Sequence, residues 1–326
     1  MWALVLVGVD LGATRVRVAL GDEEGIKASR WEETDREHGA RGIVNQVVKM
    51  VRHLLSEKNM GSAPEAIGIG SIGPLDLSKG CVREPPNLPM RVIPLREPLQ
   101  EAFGVPVYLL NDCAAAVLGE QFFGAGKDLK NLVYVTLSTG LGGGAIVDGH
   151  LLVGKDGNAV EIGHMVVDPE GEMVCGCGCR GHWEAYCSGA NIPRYTRRLL
   201  EEREPEEVSS SLLLRLSDGD PLQITGEVLF EAARRGDKIS RWIVEKIGEL
   251  NAIGFADLVN LFDPELITVG GSVALNNPDL VLKPILKRIR QYTINRVPEI
   301  RLTPLGEEIV LYGALALAQG KVEFDR

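Results

Sequence analysis

Residues 132–147 read Leu-Val-Tyr-Val-Thr-Leu-Ser-Thr-Gly-Leu-Gly-Gly-Gly-Ala-Ile-Val. The β-branched run Leu132–Leu137 predicts a strand, Ser138–Gly144 a glycine-rich loop, and Ala145–Val147 the next strand. Asp148-Gly149 then makes a hairpin turn into Leu151–Val153. Consecutive glycines let backbone approach a ligand closely, and their N–H groups can wrap a phosphate. No Lys-Ser or Lys-Thr follows, so this is not a Walker A loop. It opens a hairpin, where a Rossmann turn would open a helix. A bulged hairpin without a ligand is the competing reading of the same residues.

The N-terminus repeats the layout. Residues 2–9 are apolar throughout, the pattern of a strand covered on both faces. Asp10-Leu-Gly-Ala-Thr14 follows as a tight turn, then Arg15–Leu20 as a second strand and 26–31 as a third. A carboxylate beside glycine amides and a threonine hydroxyl can hold a phosphate and a hydrated Mg²⁺ together, although most Asp-x-Gly turns are only turns. Strand, polar glycine turn, strand, strand, occurring twice, predicts two related α/β halves.

Between these units, Ile43, Val47, Val48, Val51 and Leu54 recur at helical spacing over 41–57. Ala66–Gly70 reads as a strand, and the proline- and glycine-rich stretch 72–94, with Pro86-Asn87-Leu88-Pro89, as a long loop. A helix over 97–103, a strand over Val105–Leu110 and a helix opened by Asn111-Asp112 follow. Either one of them is simply the helix N-cap, or a carboxylate is presented at the strand end toward a cleft with the cap role shared, and position alone leaves both open. Further on, 188–262 is mostly helical with an interruption at 201–221. Glu265–Val273 is a strand entering a Gly270-Gly271 turn, 279–293 a helix, 299–302 a strand and 307–320 a closing helix.

Half of the six cysteines (Cys81, Cys113, Cys175, Cys177, Cys179 and Cys187) fall within five residues. They sit in Glu161-Ile-Gly-His164, ten residues, then Cys175-Gly-Cys-Gly-Cys-Arg-Gly-His-Trp-Glu184. His164, Cys175, Cys177 and His182 offer two imidazoles and two thiols, the set a tetrahedral Zn²⁺ prefers, and four protein ligands make such a site structural. Cys179 could replace His182 or Cys177. Closing the metal loop would fix Glu184, and Glu161 with it. A disulfide or a set of free thiols would leave the histidines without a role.

The composition is that of an ordinary globular chain, 45% apolar and 25% charged, and its 326 residues suffice for two domains. A net charge of −10 argues against a nucleic-acid partner. The apolar N-terminal run lacks a basic n-region and is too short to span a bilayer, so no membrane partner and a cytoplasmic location are expected.

These pieces, in this order, resemble the ROK family of sugar kinases and repressors. The resemblance implies a two-domain actin-like ATPase (ribonuclease H-like) α/β fold with duplicated halves. The smaller domain would be 1–111, with the closing helix 307–326 packed back on it. The larger would be 112–306, with a zinc-binding insertion at 164–182. Asp10–Thr14 (Asp10, Gly12, Thr14) resembles the first phosphate loop and Ser138–Gly144 (Thr139, Gly140, Gly142) the second. Leu266–Ser272, with Gly270 and Gly271, is similar to the segment bordering the adenosine. The cysteine segment looks like the family signature C-x-C-G-x-x-G-C-x-E, with His182 in place of the last cysteine. That is the reason to prefer His182 over Cys179.

What the resemblance implies for function is ATP-dependent phosphorylation of a hexose, with Mg²⁺ and a structural zinc. Asn111 and Asp112 match the sugar-binding Asn-Asp pair, Asp112 being the catalytic base. Glu161, His164 and Glu184 match further hydroxyl ligands, Asn87 another contact, and Gly73 a loop bordering the sugar. Glucose at the 6-hydroxyl, or a broad set of hexoses, is the expected substrate. An N-acetylmannosamine, N-acetylglucosamine or fructose kinase is the serious alternative. A sugar-binding protein without catalysis is disfavoured by the presence of Asp10, Asp112 and both glycine loops. A sugar-responsive repressor is disfavoured because the first phosphate loop begins at residue 10, ahead of which a helix-turn-helix has no room. A homo-oligomer, dimer or tetramer, is the expected assembly.

Overall fold

The computed structural model describes residues 5–58 and 64–320. The N-terminal end of the expected first strand (2–4) and the last residues of the closing segment (321–326) lie outside them. The described chain divides into two compact units. Unit 1 comprises the residues up to Tyr134, Gly144–Val160 and those from Thr303 onward. Unit 2 comprises Val135–Gly143 and Glu161–Leu302.

The first sheet is built from β1 (Leu6–Leu11), β2 (Arg15–Asp22), β3 (Gly25–Glu33), β4 (Ala66–Ser71) and, later in the chain, Val107–Asn111. β1 lies near its centre, antiparallel to β2 and parallel to β4, and is buried along most of its length, as its unbroken apolar run requires. β3 takes the edge and alternates exposed and half-buried residues. The helix Gly39–Glu57 turns Ile43, Val47, Val51 and Leu54 into the core of this unit.

The stretch expected as one long loop, 72–94, instead contains a small antiparallel sheet of β5 (Leu75–Asp76), β6 (Cys81–Arg83) and β7 (Val92–Pro94). Strands of two or three residues are too short to leave a periodic signature, and Leu75, Val82, Leu88 and Ile93 bury themselves in the same core. β8 (Val107–Asn111) then pairs parallel with β4, Ser71 opposite Asn111.

The second sheet runs in the order β11 (His150–Leu151), β10 (Leu141–Val147), β9 (Leu132–Leu137), β12 (Leu266–Gly270), β13 (Glu299–Leu302). β10 begins four residues earlier than expected, at Leu141 rather than Ala145, so Gly142 lies inside a strand and only Ser138–Gly140 forms the loop. Gly144 has a packing reason: a Cβ there would stand 2.2 Å from the Cys113 carbonyl oxygen. The helix expected over 279–293 spans Pro278–Arg288 and tightens into a 3₁₀ turn at Ile289–Gln291.

The helix Asp112–Phe122 groups with unit 1 rather than with the larger half, because it packs on the closing helix Ile309–Ala318 at almost backbone contact. A Cβ on Gly313 would lie 1.6 Å from the Ala115 oxygen, and one on Gly119 2.6 Å from the Ile309 oxygen. On the sheet side, a Cβ on Gly68 would lie 1.9 Å from the Ala314 oxygen. Overpacking a contact of this kind costs about 1–3 kcal/mol. Gly313→Ala is therefore expected to lower the melting temperature clearly, whereas Gly226→Ala, which meets nothing within 4 Å, leaves it unchanged or slightly raised. Equal melting temperatures for the two variants in thermal unfolding would contradict this packing.

Candidate functional site

In unit 1, β1, β4 and β8 run parallel and end along one edge, where Asp10, Ser71, Asn111 and Asp112 are gathered. This is the carboxyl edge at which open α/β sheets bind ligands. The Asp10–Thr14 turn is pinned from several sides. The Gly12 N–H donates to the Arg15 carbonyl at 2.9 Å, Thr34 Oγ1 donates to the Gly12 carbonyl at 2.8 Å, and Arg36 Nη2 donates to the Ala13 carbonyl at 2.6 Å. Thr14 is exposed beyond them.

The Asp10 carboxyl is pushed up to about 7, first by burial and then by the negative charge of Asp112. Arg17, 3.5 Å away, opposes the rise. Burial also lifts Asp112 above the usual carboxylate range, against the pull of its bond from the Cys113 N–H. That N–H donates to both Asn111 Oδ1 (2.9 Å) and Asp112 Oδ1 (2.7 Å), so the cap is shared and each side chain keeps acceptor capacity.

Gly73 stands beside Asn111: its Cβ position is 3.5 Å from Asn111 Nδ2 and 3.6 Å from Asn158 Oδ1. Asn158 escaped the sequence reading. Its amide accepts from the Leu75 N–H at 2.7 Å and donates to the Leu75 carbonyl at 3.0 Å, fastening the segment after Gly73. An asparagine in a glycine-containing loop gives no sign of so distant a partner. Asn87 is exposed between β6 and β7.

In unit 2, His164, Cys175, Cys177 and His182 converge, one ligand atom from each lying within 4.8 Å of the others. The two Nδ1 atoms are 3.2 Å apart, Cys177 Sγ is 3.4 Å from His182 Nδ1, and Cys175 Sγ is 3.9 Å from His164 Nδ1. A tetrahedral Zn²⁺ with Zn–N about 2.0 Å and Zn–S about 2.3 Å requires edges of about 3.3 Å for N···N and about 3.6 Å for N···S. The residues present fit that ion. Burial and then His164 hold the His182 imidazole below its ordinary value, favouring the neutral form that binds metals. The Cys179 side chain stays outside the group, while its carbonyl accepts the Cys175 N–H at 2.8 Å.

Glycines allow this turn to form. Gly178 (φ 90°) and Gly181 (φ 74°) take left-handed conformations, and a Cβ on Gly181 would sit 2.0 Å from the Asp168 oxygen. Gly163 brings the Glu161–His164 turn against β10, where a Cβ would stand 2.1 Å from the Leu141 oxygen. Glu161 and His164 are both exposed on that turn.

Glu184 is the junction. Its Oε2 accepts from the Leu141 N–H at 2.9 Å, and its Oε1 is 3.8 Å from Cys175 Sγ. The Oε2 atom also lies 3.0 Å from the Cβ position of Gly140. The loop carrying Thr139 and Gly140 is held further by Gly189 N–H to the Ser138 carbonyl (2.7 Å) and Ala190 N–H to the Thr139 carbonyl (3.1 Å). Gly271 (φ 84°), following Gly270 at the end of β12, packs on the same strand, its Cβ position 2.4 Å from the Leu137 oxygen.

The family model described as ROK family matches residues 6–321. The glucokinase of Pyrobaculum calidifontis is 40% identical over 314 residues, covering 96% of this chain and 94% of the relative. The ROK family glucokinase from Streptomyces griseus, solved in complex with glucose and AMPPNP, is 35% identical with a TM-score of 0.78 over 97% of this chain and 99% of that one. The ROK hexokinase from Thermus thermophilus is 32% identical with a TM-score of 0.82, covering 98% and 99%.

The raised Asp10 carboxyl has a consequence for stability. The folded chain keeps a proton that the unfolded chain releases from about 3.8 upward, so the folded state loses stability as pH rises from about 4 to about 7. Asp10→Asn removes this dependence. In Mg²⁺-free buffer the variant should match the wild type near pH 4 and gain with pH, reaching about 2–4 kcal/mol by neutral pH at about 1.4 kcal/mol per unit. A difference between the two melting curves that does not change with pH would contradict the assignment.

Proposed function

The chain belongs to the ROK family, and from that premise we propose that it transfers the γ-phosphoryl group of ATP to the 6-hydroxyl of a hexose, glucose first. The observation that carries this reading is Asp112, a half-buried carboxyl with a raised proton affinity at the carboxyl end of β8, beside Asp10. The relatives named as glucokinases support the substrate.

In this reading Asp112 takes the proton of the attacking hydroxyl, and its raised affinity makes it the better base. Asn111, Glu161, His164 and Glu184 offer the acceptors and donors that pair with sugar hydroxyls, with Asn87 and Gly73 as further neighbours. Thr14, Thr139 and Gly140 provide N–H and hydroxyl donors for phosphate oxygens, Gly12, whose own N–H is bonded to the Arg15 carbonyl, shapes the first turn, and Gly270 and Gly271 border the nucleoside. Gly142 is committed to strand β10 and stands outside the Ser138–Gly140 loop. Asp10 would hold Mg²⁺ through its hydration shell, and that ion, when bound, neutralises charge on the phosphates.

His164, Cys175, Cys177 and His182 would hold zinc in a structural role, supported by the fit of their edges. Both imidazoles turn Nδ1 toward the cluster, so Nε2 of His164 is left to point elsewhere. With Nδ1 on a metal, Nε2 carries the proton and is a committed donor to a sugar oxygen. The acidic net charge supports the absence of a nucleic-acid partner, and among the described residues no helix is long and apolar enough to cross a membrane.

The test is ADP formation from Mg-ATP with glucose, mannose, fructose, glucosamine, N-acetylglucosamine and N-acetylmannosamine. Glucose is expected to turn over best, and Asp112→Asn to lower that turnover about 10³-fold while glucose still binds. Turnover of an acetamido sugar alone would replace the substrate, and near-normal turnover by Asp112→Asn would remove the base. For the metal, elemental analysis is expected to find one zinc per chain, lost in Cys175→Ser and His182→Ala and kept in Cys179→Ser. Loss in the Cys179 variant with retention in the His182 variant would reverse the ligand assignment.

A further inference from the structure

Beside the Cys/His turn, unit 2 contains a cavity of about 480 Å³ lined by Asp168, Glu170, Glu172, Tyr186, Tyr195 and Leu250. None of these residues takes part in the chemistry described above. Three carboxylates come from one short turn, Asp168-Pro-Glu-Gly-Glu172, and the opposite wall is aromatic. Tyr186 and Tyr195 meet edge to face with centroids 4.9 Å apart.

The polar groups of this cavity divide into occupied and unoccupied. Asp168 accepts the N–H groups of Glu170 (3.1 Å) and Glu172 (2.9 Å) and the hydroxyl of Tyr186. Tyr186 in turn accepts the Met173 N–H at 2.9 Å. Glu172 is paired with Arg198. Among the described residues the side chain of Glu170, exposed at the surface, has no such partner. Tyr195 is 6% exposed, yet its hydroxyl makes no hydrogen bond among the described residues. The oxygen itself is not enclosed, so this hydroxyl of an otherwise buried ring can meet a ligand from outside.

We propose that this cavity is a second binding site, for a small organic cation carrying a primary ammonium group. Such a group donates to the Tyr195 hydroxyl and the Glu170 carboxylate together. Its charge is favoured by the acidic turn and by the two aromatic rings, and its methylene chain lies over Leu250. A bare divalent ion suits the cavity less. The three carboxylates do not converge as a ligand cluster, and those of Asp168 and Glu172 already have partners.

Calorimetric titration of the full chain with 1,4-diaminobutane tests this. One-site saturable binding is expected, and none with uncharged 1,4-butanediol. Tyr195→Phe, which keeps the ring, and the surface change Glu170→Gln should each weaken binding about tenfold, the size of one lost charge-assisted hydrogen bond. Thermal unfolding checks that both variants are folded. Absent saturation, wild-type affinity in both variants, or equal competition by MgCl₂ would overturn the proposal. So would a diamine-dependent change in molecular mass by light scattering, which would assign the cavity to a basic side chain of a second copy.

Discussion

One hydrogen bond joins the parts of unit 2 that matter: the Leu141 N–H donating to Glu184 Oε2 at 2.9 Å. Leu141 opens strand β10 directly after the Ser138–Gly140 loop, and Glu184 opens a four-residue helix directly after the Cys/His turn. The carboxylate therefore has one oxygen on the glycine loop and the other near Cys175. A charged acceptor for a backbone N–H is among the stronger neutral–ionic contacts a protein makes. Whatever orders the Cys/His turn also orders the loop that carries Thr139 and Gly140.

The turn itself is anchored from below. Trp183, the residue before Glu184, is fully buried, donates its indole N–H to Asn251 at 2.8 Å, and meets Phe255 edge to face. Gly254 makes room, since a Cβ there would stand 2.5 Å from the indole ring. A large aromatic side chain buries enough apolar area to hold a short irregular segment that has little backbone ladder of its own. In unit 1 the equivalent work falls on close backbone approach: Gly8, Gly68 and Gly313 let the closing helix lie against β1, β4 and the Asp112 helix. That contact sets where the Asp112 helix begins, and so where Asp112 stands relative to Asp10.

Much of this was legible in the residues. Long apolar runs gave β1, β4, β9 and β12 because burial on both faces leaves an unbroken pattern, and histidine–cysteine spacing gave the cluster because ligand chemistry is local. The residues left ambiguous were those whose reason lies far along the chain. Gly144 reads as part of a phosphate loop but is small because of Cys113, and Asn158 reads as a loop residue but latches Leu75. The β5–β7 sheet leaves no trace because its strands are too short to carry a period, and Asn111 and Asp112 share one cap bond, the sharing that a carboxylate presented at the strand end calls for.

In the proposed reading the Cys/His turn orders Glu184 and His164 for the sugar. The direct measurement is the affinity for glucose as zinc is returned stepwise to chelator-stripped protein. Affinity should rise in proportion to zinc and level off at one ion per chain. Full glucose affinity in demonstrably metal-free protein would contradict it.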